Sequence, residues 1–595
     1  MTEPTLETEY RTRLAARRAT LELMERRHTR VAIVRVVLGL AGVALLIWLG
    51  LAPFKTLVSM VLLFAVIAVG HGRLIAARDH ARSAVAFYQR GLARLRFEWP
   101  GAGDAGARFQ PTQHLYSADL DLFGSGSLFE LLGTCRTEGG RVVLARWMLA
   151  PAVPDEILAR QEAIRELAPD LDLREQLAVE GDDMRATVDP APLRAWAVMP
   201  RRLPGGGIEF VVRVLPLLVL GALLWVYQGG PIAAFLVVQA LVGLVALALR
   251  PKVREVIDAV DSASRDLDVF VGVARLMEKR ADTSARLRAL HNALSRPNGS
   301  ASSSIARLAQ YVALLNSRSN VIFGPFAALL MWATQCAFFI ERWRGRHGQD
   351  VPAWLDSVAE FDALCALAGF AAEHPAYAFP TLTPPPSHVE ATALAHPLMR
   401  PESIANDVSL GGANPSLLIV SGSNMSGKST FLRAIGLNVV LAQMGAPVRA
   451  ASFTMSPLAV GASIRVLDSL QEGHSRFYAE ILRLKHIVDL ARETNGSALF
   501  LLDEVLSGTN SHDRRQGAEG LLRGLIGFGA IGLATTHDLA LGAIAEGWSP
   551  QATNVHFADK FDGGSLEFDY LLRPGPVKTS NALALMKSIG LNVEV

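Results

Sequence analysis

Cysteine is nearly absent from this chain. Only Cys135, Cys336 and Cys365 occur among 595 residues, and no two of them form a C-x-x-C pair. Such sparse thiols argue against a disulfide framework and a structural zinc site, and they fit a reducing compartment. An excess of one charge is also lacking: 58 basic against 56 acidic residues leave a formal net charge of +2. No basic stripe for nucleic-acid phosphates stands out. Nor does any internal repeat, apart from a pair of apolar hairpins.

Apolar length, by contrast, is plentiful, with 50% hydrophobic residues and a mean hydropathy of +0.27. Val36 to Ala52 and Thr56 to Gly70, split by Pro53-Phe54-Lys55, read as one membrane hairpin. Phe210 to Tyr227 and Pro231 to Leu249, split by Gln228-Gly229-Gly230, read as a second. Each run is close to the ~17 to 25 residues that cross a bilayer at about 1.5 Å per residue. Arginines flank both hairpins: Arg26, Arg27 and Arg30 precede the first, and Arg73 and Arg78 follow it. Arg201 and Arg202 precede the second, with Arg250, Lys252 and Arg254 after it. The positive-inside rule then puts every long segment in the cytoplasm, as expected of a multi-pass protein of the cell inner (cytoplasmic) membrane with the lipid bilayer as a partner. The bland alternative is a pair of hairpins buried in a soluble core, but neither has a polar face to show to water.

The densest chemical signal is Gly422-Ser423-Asn424-Met425-Ser426-Gly427-Lys428-Ser429-Thr430, which follows the apolar run Leu417 to Val420 and precedes a helical pattern from Phe431. This is a G-x-x-x-x-G-K-[ST] phosphate loop. Its glycines let backbone N–H groups approach phosphates, Lys428 reaches the β/γ-phosphates, and Ser429 ligates Mg²⁺ at a helix N-terminus. ATP and Mg²⁺ are the expected ligands. Downstream, Ala498 to Leu502 reads as a buried parallel strand ending in Asp503-Glu504. Asp503 is expected in the Mg²⁺ shell, and Glu504 as the group that orients or deprotonates the attacking water. Ala530 to Ala534 ends in Thr535-Thr536-His537, which places His537 at a strand's C-terminal edge as a γ-phosphate sensor. The bland alternatives are a Gly/Ser turn, a capped carboxylate pair and a satisfied histidine, each common alone and rare together. A further apolar stretch, Val321 to Ile340, is expected to be a buried helix. A fifth crossing would put the phosphate loop on the side away from the Arg-rich N-terminus and from ATP.

At these residues the chain resembles the MutS mismatch-repair ATPases. Ser421 to Thr430 is similar to their phosphate loop, and His396-Pro397, Ile404-Ala405-Asn406, Gly473 to Phe477, Asp503-Glu504, Gly508 to Asp513 and Asn554-Val555-His556 follow in family order. Gly126 to Phe129, Thr137, Gly140-Arg141, Trp147, Pro151 and Arg160-Gln161 resemble the start of the MutS core domain. The resemblance implies a composite site in a homodimer joined through its ATPase domains, with Ser475 reaching the partner's γ-phosphate and the loop from Gly508 to Asp513 lining the seam. It implies Ile404 and Tyr570 beside the base, Tyr570 stacking on adenine. Ser403 stands where an aromatic would be expected, so that stacking would be one-sided.

The implied fold is an α/β P-loop (ABC-like) ATPase domain, C-terminal to an all-α MutS-like core and lever domain, with two α-helical transmembrane hairpins. The expected division is a charged cytosolic leader at 1–30, hairpin one at 31–72, a helical connector at 73–110 and the first part of the core at 111–200. Hairpin two follows at 201–250, lever and core helices at 251–385, and the ATPase domain at 386–595. Val253 to Leu294 and Ile305 to Arg342 resemble the levers, roughly 55 to 65 Å each if continuous. Only Ser295 to Ser304 joins them, where the family's DNA clamp would be inserted. No Phe-x-Glu wedge precedes the core, so mismatch reading is not expected. The sequence stops at Val595 soon after Ser588 to Leu591, so dimer support is expected from membrane confinement, ATP and the transmembrane helices.

Three functions remain open: a membrane-anchored ATPase coupling hydrolysis to duplex or junction DNA through the levers, a MutS-derived ATPase acting on a membrane or protein partner, and an ABC-type transporter. The transporter fits worst, because Leu506-Ser507-Gly508 follows the acidic strand instead of preceding it and the spans carry few polar residues.

Overall fold

Two periodicities divide the chain. Up to about residue 373 the apolar residues recur at helical spacing, and after it short runs such as Leu417 to Val420 and Ala498 to Leu502 alternate with turns and helices. The computed structural model describes residues 5–48, 54–180, 191–263, 267–296, 299–320, 323–423, 425–465, 476–506, 510–537, 542, 545–562 and 565–577. They form two interleaved units: Met1–Leu92, Cys135–Arg141 and Asp170–Ala363 in the first, and Ala93–Thr134, Val142–Pro169 and Leu364–Val595 in the second. Residues 115–132, expected to open the core domain, therefore pack within the same unit as the phosphate loop.

The first unit is helical. Its long elements are α1 (Leu6–Trp48) and α2 (Phe54–Leu95), whose last turn passes into the second unit, then α3 (Gly207–Tyr227) and α4 (Ile232–Ala263). Gly207–Tyr227 and Ile232–Val260 are long and apolar enough to cross a membrane, with mean hydropathies of 2.2 and 2.7 and only 17% and 11% of the apolar window buried in the protein. The first expected hairpin lies within α1 and α2, and its connection at 49–53 falls outside the described residues.

The lever patterns are not continuous. α4 is followed by α5 (Leu267–Glu278) and α6 (Ala285–Leu294), and the return by α7 (Ala301–Asn316), α8 (Gly324–Leu329) and α9 (Trp332–His347). Ser284 caps α6 by accepting from Leu287 N–H at 3.4 Å, so the break before it is a helix start written in the sequence. The 295–304 connection contains the two-stranded pairing of β1 (Ser295–Arg296) with β2 (Gly299–Ser300). Met331, at φ 52°, interrupts the apolar stretch 321–340 between α8 and α9, while Thr334, Cys336, Phe338 and Ile340 beyond it are buried. Among its described residues that stretch is no single span.

The second unit holds two sheets. The smaller runs β3-β7-β4-β5, from β3 (Thr381–Leu382), β4 (His388–Leu394), β5 (Asn406–Gly411) and β7 (Ser452–Met455). The larger has the order β12-β11-β6-β10-β9-β8, made of β6 (Leu417–Ser421), β8 (Ala459–Ser463), β9 (Ala498–Leu502), β10 (Ile531–Thr536), β11 (Ala552–Asp562) and β12 (Ser565–Pro574). Strands β11, β6, β10, β9 and β8 are parallel and β12 is antiparallel at the edge. Every residue of β6, β9 and β10 is buried, as a parallel sheet covered on both faces requires. Helices α10 (Lys428–Gln443), α11 (Arg476–Glu493) and α12 (Ser511–Gly527) supply that cover.

Candidate active site

In an open parallel sheet, groups at the C-terminal strand ends converge on one edge. β6 and β10 are paired in register, Thr536 opposite Ser421, and β10 pairs β9 with Ala534 opposite Leu502. The phosphate loop, His537 and Asp503-Glu504 therefore emerge side by side.

The loop needs its glycines. A Cβ at Gly422 would lie 2.7 Å from Ser426 Oγ and 3.1 Å from the Phe557 carbonyl, and Gly427 starts α10 with φ 101°. Lys428, only 5% exposed, donates from Nζ to the carbonyls of Gly422 and Ser423, both at 2.9 Å. Burial pulls its pKa down, and the charges of Glu504 and Asp503 partly restore it. The hydroxyls of Ser423 and Ser426 are buried without a hydrogen-bond partner among the described residues. Unmet buried polar groups are costly, so a loop that keeps two of them, beside a lysine and a helix N-terminus, fits the oxygens of a polyphosphate. Asn424 lies outside the described residues, and Met425 is exposed with φ 71°.

The acidic pair is held from the neighbouring strand. Thr535 Oγ1 donates to Asp503 Oδ1 at 2.5 Å and accepts the Glu504 N–H at 3.0 Å. Glu504 has φ 52°, and its Oε1 lies 3.5 Å from His537 Nδ1. Both side chains are well exposed to solvent, as groups that handle a water and a phosphate must be. Ser429 on α10 and Asp503 just past the end of β9 are the oxygen ligands that would hold Mg²⁺, a hard cation that retains several waters.

Tyr570 also reaches the loop: a Cβ on Gly427 would be 3.1 Å from Tyr570 Cδ1. The Tyr570 backbone, at φ 53°, is tied to the segment after Ile404, because Asn406 donates to Tyr570 O at 3.0 Å and accepts Leu572 N–H at 2.7 Å. Ile404 is half-exposed. Ser475 and Gly508-Thr509 lie outside the described residues, while Asn510 caps α12 by accepting from Asp513 N–H at 2.9 Å.

The motifs do not point to two residues that shape this edge. Arg449, buried, donates to four carbonyls, those of His396, Met399, Arg400 and Pro401, at 2.7 to 2.9 Å, and so fixes the turn leading to Ile404. Asn438, fully buried on α10, accepts Arg449 N–H at 2.7 Å and donates to Ala395 O at 2.9 Å. The polar faces of both are spent on backbone, and only an Asn inside the otherwise apolar stretch Ala434 to Ala442 hints at it.

Comparison with known proteins agrees with this geometry. Residues 418–595 match the family described as MutS domain V, the P-loop ATPase domain of MutS proteins. A DNA mismatch repair protein MutS from Natronomonas pharaonis is 37% identical over 244 residues, covering 40% of this chain and 27% of that protein. A DNA mismatch repair protein MutS from Thermus thermophilus is 34% identical over 242 residues, 40% of this chain and 28% of the relative, and an Endonuclease MutS2 from the same species is 33% identical over 201 residues, 34% and 26%. The chain thus spans about a quarter of the length of the curated relatives it matches. The phosphate loop, the acidic pair and the matched domain coincide in one segment, so residues 418–595 carry a domain similar to MutS domain V.

Proposed function

We propose that the protein is a membrane-anchored ATPase that binds Mg²⁺–ATP at the β6–α10 loop and hydrolyses it to ADP and phosphate at a composite site completed by a second copy. One observation carries the reading: the hydroxyls of Ser423 and Ser426, buried beside Lys428 with no partner among the described residues, and Glu504 and His537 facing each other at the adjoining strand ends. In this reading Glu504 takes or orients the water proton, His537 holds its carboxylate and senses the γ-phosphate, and Ser475 acts in trans. Anchoring through α3 and α4 is supported by their apolar, little-buried surfaces, and anchoring through the 31–72 hairpin by its sequence. The DNA mismatch repair names of the relatives support coupling of hydrolysis to DNA. The testing experiment is ATP turnover in lipid nanodiscs, alone and with homoduplex, mismatched or branched DNA at two salt concentrations. Salt-sensitive stimulation supports the DNA arm.

A second reading, a membrane or protein partner in place of DNA, is favoured by one feature. α4 runs unbroken from its apolar stretch to Ala263, whereas the lever patterns beyond it are short helices. A helix that continues out of the bilayer, here through Pro251, is a direct way to carry a nucleotide-driven movement into it. Turnover indifferent to every DNA selects this reading.

A further inference from the structure

Asp119 lies far upstream of the matched segment 418–595, yet it is fully buried inside the unit that holds the candidate site. Its Oδ1 accepts the N–H groups of Ile464 at 2.7 Å and Arg465 at 2.8 Å, the two residues that follow β8. Its Oδ2 accepts Arg483 Nη2 from α11. Its own carbonyl accepts Arg433 Nε from α10 at 2.9 Å. One short segment therefore ties a strand end to two helices.

The ties continue to the acidic pair by two routes. Along the first, Ser463 O, next to Ile464, accepts the N–H of Asp503 at 2.9 Å. Along the second, α11 carries Glu480 one turn before Arg483, and buried Glu480 Oε1 accepts Leu506 N–H at 2.6 Å, two residues past Glu504. Glu504 and Leu506 both have positive φ, at 52° and 56°. Non-glycine residues hold that conformation only where their surroundings fix it. Thr535 fixes one end of this turn and Glu480 the other. Arg483 also donates from Nε to Ala462 O at 2.8 Å, so helix and strand end move together with Asp119.

We infer that Asp119 is a positioning residue for the Asp503–Glu504 pair, acting through the end of β8 and through Arg483 and Glu480 on α11. The inference rests on the reading of that pair as hydrolytic. It makes the 115–122 segment a lever on catalysis: loss of the Asp119 carboxylate loosens the acidic pair, while the Asp119 carbonyl still holds Arg433 on the helix that follows the phosphate loop. Asp121 reinforces the node, pairing with Arg465 at 2.6 Å and lying 3.7 Å from Arg433.

The test uses the full chain in nanodiscs and two readouts, ATP turnover with ATP affinity, and amide hydrogen exchange. Asp119→Asn keeps one acceptor oxygen and removes the charge facing Arg483. The expected result is a kcat lowered about tenfold or more, as for loss of a hydrogen bond to a charged group, with ATP affinity within about twofold. Exchange should rise both at 464–465 and at Leu506. Glu480→Ala, which leaves Asp119 intact, should raise exchange at Leu506 and lower kcat, and Glu480→Gln, still an acceptor, should retain more of kcat than the alanine. A faster exchange confined to 464–465 in Asp119→Asn, or an unchanged kcat in both Asp119→Asn and Glu480→Ala, overturns the relay. If Asp119→Asn does not fold, Arg483→Gln, which removes the charged partner of Asp119, reads the same link, and exchange that stays slow at Leu506 overturns the relay. If the wild-type chain turns over no ATP, the functional reading fails, while the exchange at Leu506 still judges the positioning.

Discussion

Thr535 holds Asp503: its hydroxyl donates to Oδ1 at 2.5 Å, and the same oxygen accepts the N–H of Glu504 at 3.0 Å. One side chain on β10 thus sets the carboxylate expected to ligate Mg²⁺ and the backbone of the carboxylate expected to act on water. Thr535→Val keeps the shape and deletes both bonds. Hydrogen bonds to charged groups contribute roughly 1.5 to 3 kcal/mol, so turnover should fall about ten- to a hundredfold. Steady-state kinetics with a nucleotide-binding titration checks this, and equal loss of binding would place Thr535 in ligand affinity instead.

Lys428→Ala should abolish nucleotide binding. Lys428 Nζ donates to the carbonyls of Gly422 and Ser423 in a buried site, where a compact ammonium can meet a phosphate as a point charge. Titration with a fluorescent ATP analogue reads it. Near-normal affinity would remove the phosphate loop from the account.

Ser475→Ala should lower hydrolysis several-fold or more while leaving ATP binding by the monomer unchanged, because its expected target belongs to the partner. Analytical ultracentrifugation of Glu504→Gln with ATP should show dimers that wild type forms only transiently. Loss of binding and hydrolysis in equal measure for Ser475→Ala would contradict a role in trans.

Stability should fall as pH drops from about 6.5 toward 4. Burial, helped for His396 by Arg433 and Arg449, pulls its pKa down from 6.5 to about 4, and burial likewise takes His374 to about 4. Above 6.5 both states are neutral and the penalty is nil. Between 6.5 and 4 the unfolded chain binds protons that the folded chain refuses, so the folded state loses on the order of a few kcal/mol across that window. Melting midpoints from pH 7.5 to 4 should show this slope. His396→Asn, which keeps an acceptor for Leu398 N–H, should remove about half of it and leave the His374 share.

The loops of the candidate site are legible in position because their pattern is local: a glycine-flanked loop between a strand and a helix, and acids or a histidine at the ends of buried apolar runs. What the sequence hid is non-local. Arg449 meets carbonyls about fifty residues earlier, Asn406 clasps the backbone around Tyr570, and Asp119 reaches Ile464, Arg465 and Arg483 across hundreds of residues. Such contacts leave no periodicity to read. The broken levers are a different case. Helical spacing persists through Lys279 to Ser284 and past Met331, but Ser284 capping α6 and the positive φ of Met331 end the helices there. The capping serine was readable; the left-handed methionine was not.

Hydrolysis by Glu504 at the phosphate-loop site would show in Mg²⁺-dependent ATP turnover of the full chain in lipid nanodiscs, wild type against Glu504→Gln, with ATP affinity measured on the same samples. The account predicts turnover in the wild type and a loss of about a hundredfold or more in Glu504→Gln, with ATP still bound. Wild-type turnover surviving in Glu504→Gln, or no turnover in either, would contradict it.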